Sequence, residues 1–149
     1  MADDRLIAAL DVPTRAAAEQ LVTRLGDSVS FYKVGMELFY ALGGDIVTWL
    51  KEQEKKVFLD LKLHDIPNTV GNGLCSLLRL RPDILNVHTA GGLRMMKAAR
   101  EALRAAADRE GVLCPKLIGV TVLTSMDAED WAGLGRGGWP GGGADPPIS

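Results

Sequence analysis

Five short apolar runs punctuate the chain, and the segments between them carry apolar residues at helical spacing. Residues 6–10, 30–35, 57–62, 83–88 and 117–123 read as strands. Several are apolar nearly throughout, as expected where both faces of a parallel sheet are buried. Thr14 can cap a helix with Ala18, Leu21, Val22 and Leu25 on one stripe and Gly26 as its stop. Asp45 can cap a second, with Ile46, Trp49 and Leu50 inward. A third follows Pro67 and carries Val70, Leu74, Leu77 and Leu78. A fourth, over residues 92–109, turns Leu93, Met96, Ala99, Leu103 and Ala106 inward, and Gly111 closes it. Strict strand-helix alternation predicts an α/β fold with a parallel sheet. The expected architecture is a partial (β/α)8 barrel, about five of eight β/α units, over residues 1–132.

The alternation stops near residue 133. Residues 133–149 hold seven glycines and three prolines without apolar periodicity. Such a stretch buries too little surface to offset its ordering entropy, so it reads as a disordered or frameshifted tail. A full barrel of this kind is typically about 250 residues long. An open five-stranded piece would expose unpaired edges and apolar surface.

Polar residues fall where a barrel keeps its active site, at the carboxyl ends of the strands. Asp11 ends the first run, Lys33 lies late in the second, Asp60 and Lys62 end the third, His88 the fourth and Thr124 the fifth. Each has a plainer reading. Asp11 before Val12-Pro13 suits a turn, and Lys33 can reach solvent along its stem. His88 suits a hydrogen-bonded structural histidine, and Thr124-Ser125 suits a helix cap. Asp60 and Lys62 carry the sharper signal. On an alternating strand they share one face, and two charges buried side by side are costly unless paired or used.

Composition narrows the function without naming it. With 47% hydrophobic and 24% charged residues, the 149-residue chain suits a soluble domain. A net charge of −2 offers no basic footprint for nucleic acid or acidic membranes. The opening Met1-Ala2-Asp3-Asp4-Arg5 is not a basic region leading into an apolar run, so a cytoplasmic location is expected. Cys75 and Cys114 have neither metal-ligand nor redox spacing and read as reduced. No zinc-ligand cluster and no Gly-x-x-x-x-Gly-Lys loop is present.

The run Asp60-Leu61-Lys62-Leu63-His64-Asp65-Ile66-Pro67-Asn68-Thr69 resembles that of the orotidine 5'-phosphate decarboxylase family. Ala9-Leu10-Asp11, Lys33-Val34-Gly35, Asn86-Val87-His88 and Thr121-Val122-Leu123-Thr124-Ser125-Met126 extend the likeness over residues 5–135. The resemblance implies a homodimeric (β/α)8 barrel that decarboxylates orotidine 5'-phosphate to UMP in pyrimidine synthesis, with no metal or other cofactor. It implies that Lys33, Asp60 and Lys62, with Asp65 from the neighbouring subunit, form an alternating charge array beside C6 of the pyrimidine. Lys62 is the implied proton donor, with Asp11 and Lys33 on the ribose. Thr69 would reach across the dimer interface, and Thr124 would contact the pyrimidine. The chemistry suits these residue types. Loss of CO2 leaves electron density that the ring delocalises poorly, and a nearby ammonium stabilises it and then supplies the proton. Asp60 can also crowd the substrate carboxylate before reaction.

The family pattern ends near Gly135. Its later strands, mobile loop and phosphate-gripping glycine-arginine pair have no counterpart here, and Arg136 in a glycine-rich stretch is not a match for that grip. The change in composition at about residue 136 reads as an interrupted gene, whose product is expected to be inactive or only marginally folded. Two rivals remain: a metal-dependent phosphosugar decarboxylase or aldolase of the same superfamily, and a non-catalytic barrel fragment. Ile66-Pro67-Asn68-Thr69 favours the orotidine enzymes over the first. A Schiff-base aldolase fits less well, since an ammonium held between carboxylates is a poor nucleophile.

Overall fold

The computed structural model describes residues 3–135. Its strands are β1 (Ala8–Ala9), β2 (Phe31–Gly35), β3 (Lys56–Leu63), β4 (Ile84–His88) and β5 (Lys116–Val120). They form one sheet in the order β1-β2-β3-β4-β5, every neighbouring pair parallel. Helices α1 (Arg15–Leu25), α2 (Met36–Leu42), α3 (Asp45–Glu52), α4 (Pro67–Leu78), α5 (Gly92–Glu110) and α6 (Ala128–Gly135) complete the alternation. Five sequential parallel strands, each followed by helix, are successive units of a (β/α)8 barrel, as expected. No helix among the described residues is long and apolar enough to cross a membrane.

The helix ends follow local chemistry. Thr14 caps α1, its side chain accepting the Ala17 N–H at 3.2 Å. Pro67 sits in the first turn of α4, where its missing N–H removes no helical hydrogen bond. Gly111 ends α5 in the left-handed conformation at φ 64°. Between helices and sheet lies the core, where Leu10, Val34, Leu38, Ile46, Leu50, Leu59, Leu74, Leu85 and Leu103 are almost fully buried. Each such side chain contributes about 1.5–3 kcal/mol relative to exposure. Gly71 lets α4 approach α5 closely, since a Cβ there would lie 3.1 Å from the Ala102 methyl.

The amino ends of the strands are tied by polar contacts. Asp83 Oδ2 accepts both the Val57 N–H and Lys51 Nζ at 2.8 Å. The Asp83 backbone donates to Val57 O at 2.8 Å and accepts from Lys116 N at 3.0 Å. Lys55 Nζ donates to the carbonyls of Gly26 and Val29 at 2.9 and 3.1 Å. Lys56 pairs with Asp4, which also accepts from the Ser30 hydroxyl.

Several expectations are corrected. β1 is shorter than residues 6–10: the Leu6 N–H turns back to Asp3 O at 2.9 Å and only Ala8 and Ala9 pair with β2, although the Leu10 N–H still reaches Lys33 O at 2.9 Å. The N-cap of α3 is Gly44, and Asp45 is already helical. The helix α2 was absent from the expected pattern; it leaves β2 directly at Gly35 and ends at Gly43, whose φ is 65°. In α5 Ala99, Leu103 and Ala106 are buried as expected and Met96 is partly buried, but the first turn differs: Leu93 is exposed and Met95 is buried instead. β5 ends at Val120, not residue 123, because the Thr89 hydroxyl takes the Val120 carbonyl at 3.0 Å. Asp127, not Thr124 or Ser125, caps α6 by accepting the N–H groups of Glu129 and Asp130 at 2.9 Å. Residues 133–135 form the end of α6. The expected tail over residues 136–149, Arg136 included, lies outside the described residues.

Candidate active site

The carboxyl ends of β1, β2 and β3 converge on one chain of charges. Lys33 Nζ donates to Asp11 Oδ1 at 3.1 Å and lies 3.7 Å from Asp60 Oδ2. Lys62 Nζ donates to Asp60 Oδ1 at 2.7 Å. The order Asp11, Lys33, Asp60, Lys62 therefore alternates in sign across three strands. Register explains the convergence: Ala9 pairs with Lys33, and Gly35 with Asp60. The side chains of Lys33 and Lys62 are each 24% exposed, so both ammonium groups border open space while Asp60 is buried.

β3 does not run as a regular strand through the site. Leu59 pairs with Leu85 and Leu63 with Val87, so residues 60–62 stand opposite Asn86 alone. Lys62 has a φ of +50°, a left-handed conformation that costs a residue with a side chain about 1–2 kcal/mol. Glu54 and Arg81 adopt the same conformation outside the strands, whereas Lys62 adopts it within β3. Simple alternation placed Asp60 and Lys62 on one face; they do meet, through a bulge.

Burial opposes ionisation of Asp60. Hydrogen bonds from Lys62 and Asn86, with the charges of Lys62 and Lys33, outweigh it and hold the carboxyl below its ordinary value. His88 faces His64 with ring centroids 5.6 Å apart. Burial lowers the His88 pKa, as do the neighbouring His64 and Lys62, while Asp60 opposes the shift.

The other expected residues lie apart from this array. Asp65 is exposed and accepts the N–H of its neighbour Ile66 at 2.6 Å. Thr69 is exposed in the first turn of α4. Thr124 is exposed in the loop four residues beyond β5. Among the described residues, no group of three or more His, Cys, Asp or Glu side chains is placed to hold a metal ion.

Two contributors were missed. Asn86, 1% exposed, touches both Asp60 and Lys62, and its signal was a lone amide inside the apolar run Ile84-Leu85-Asn86-Val87. Gly35 leaves room beside Lys33, since a Cβ there would lie 3.3 Å from Lys33 Nζ and 3.6 Å from Asp11 Oδ1.

Residues 4–137 match the family described as Orotidine 5'-phosphate decarboxylase / HUMPS family. An orotidine 5'-phosphate decarboxylase of Moorella thermoacetica is 50% identical over 128 residues, which cover 86% of this chain and 51% of the relative. That of Enterococcus faecalis is 52% identical over 128 residues, covering 85% and 54%. The crystal structure of orotidine 5'-phosphate decarboxylase from Lactobacillus acidophilus aligns with a TM-score of 0.80 at 42% identity, covering 91% of this chain and 60% of that one. The chain spans about half the length of the curated relatives it matches.

Proposed function

The chain belongs to the orotidine 5'-phosphate decarboxylase / HUMPS family, and from that membership we propose that it decarboxylates orotidine 5'-phosphate to UMP without a metal or organic cofactor. The observation that carries this reading is the alternating array, above all the Lys62 ammonium, on a partly exposed side chain, held 2.7 Å from Asp60 Oδ1. As the bond from C6 to the carboxylate breaks, CO2 departs and its electron pair stays on C6. Lys62 stabilises that charge and transfers one proton from Nζ to C6, leaving a neutral amine that is reprotonated from solvent. Asp60 orients Lys62 and crowds the substrate carboxylate.

Asp11 and Lys33 hold the ribose in this reading, and Thr124 contacts the pyrimidine ring. Asp65 and Thr69 complete the site of a second copy in a cytoplasmic homodimer. Their exposure supports that role, since both are free to meet a partner.

The test is UMP formation by the chain and by its Lys62→Ala variant. We expect weak turnover at most by the first and none by the second, with far-UV circular dichroism and melting retained. Turnover surviving in Lys62→Ala, or strict dependence on magnesium, would overturn the reading. Sharing of the site is tested by mixing Lys62→Ala with Asp65→Ala: activity recovered in the mixture supports it, and two inactive proteins that stay inactive count against it.

A further inference from the structure

We propose that Asn86 is a positioning residue whose side-chain amide fixes the β3 bulge and sets the orientation of Asp60 against Lys62. Three residues of β3 stand opposite this single residue of β4, so the backbone ladder cannot serve them all. The Asn86 side chain takes over. Its Oδ1 accepts the Lys62 N–H at 2.8 Å, at the residue whose φ is +50°. Its Nδ2 donates to Asp60 Oδ1 at 2.7 Å. That carboxylate oxygen is the one that accepts Lys62 Nζ. One amide thus holds the backbone of the lysine and the carboxylate that aims its ammonium.

The chemistry selects asparagine. An aspartate could accept from Lys62 N–H but could not donate to Asp60, and it would set two carboxylates side by side. Leucine has a similar volume and neither group. With Asn86 1% exposed, water is poorly placed to replace a lost partner, and a buried N–H or carboxylate left unsatisfied is costly. The other charged groups facing Asp60 are Lys62 on its own strand and Lys33 of β2, itself paired with Asp11; His88 follows on β4.

The effect of Asn86 on turnover rests on the decarboxylase reading; its effect on Asp60 does not. The test therefore follows the Asp60 carboxyl carbon by NMR through an acid titration in the unaltered chain, Asn86→Leu and Asn86→Ala, with melting curves as the check on folding. The midpoint is expected to rise by about one pH unit in both variants, as a lost hydrogen bond to the charged form dictates. An unchanged midpoint would overturn the proposal. Should both variants fail to fold, the unaltered chain decides: the Asn86 side-chain amide protons are expected to shift in step with the Asp60 titration, and indifferent protons would overturn it. In a chain shown to form UMP, kcat is expected to fall about tenfold in Asn86→Leu with KM nearly unchanged. An unchanged kcat there overturns the role in turnover.

Discussion

A Cβ on Gly35 would lie 3.3 Å from the Nζ of Lys33, two residues back on the same strand. The glycine here supplies space, not conformational freedom, since its φ is −90°. Gly35→Ala should displace the flexible end of Lys33 and change unfolding free energy by less than about 1 kcal/mol. Ligand affinity should weaken all the same. Urea unfolding and, under the proposed decarboxylase reading, the KM for orotidine 5'-phosphate would check both; a large loss of stability with unchanged KM would contradict the prediction.

Lys62 allows a cleaner separation of backbone from side chain. Both Lys62→Gly and Lys62→Ala remove the ammonium and its pairing with Asp60. Only glycine relaxes at a φ of +50°. Lys62→Gly should therefore be more stable than Lys62→Ala by about 1 kcal/mol, read from urea midpoints. Equal stability would show that the backbone strain is released some other way.

Acid should destabilise the fold in two steps. The folded-state pKa of His88 lies below its ordinary value of 6.5, so the unfolded chain binds more protons between those two values. This contribution to stability is present above 6.5 and is lost as pH falls through the folded value. The same sign holds for Asp60 below 3.8. His88→Gln should flatten the upper step and leave the lower one. Urea midpoints collected from about pH 8 to about pH 3 would show this; a single step unaffected by the substitution would not fit.

Asp83 should behave as a structural residue. Asp83→Ala leaves the Val57 N–H and Lys51 without their shared acceptor, at a cost of about 1–3 kcal/mol. Asp83→Asn keeps an oxygen and should lose less. Calorimetry on the two variants measures the difference, and equal losses would argue against the hydrogen bond to Val57.

Much of this was legible in the chain because it is local. Thr14 as a cap, Gly111 as a stop and the apolar strand runs each depend on a few neighbouring residues. Other features depend on partners distant in sequence. β5 ends where Thr89 reaches Val120, 31 residues away. The bulge arises only once β3 and β4 are in register, so a period of two could not reveal the left-handed Lys62. Asn86 was visible as an amide in an apolar run, yet nothing local says which groups it joins. Asp65, Thr69 and Thr124 stand apart from the charge array within one copy of the chain.

The contacts made by Asp83, Lys55 and Lys56 tie the amino ends of the strands, while Asp11, Lys33, Asp60 and Lys62 gather at the carboxyl ends. The sheet thus has one anchored margin and one exploratory margin. A lineage can exchange groups at the exploratory margin by single substitutions while strand alignment stays inherited from the other.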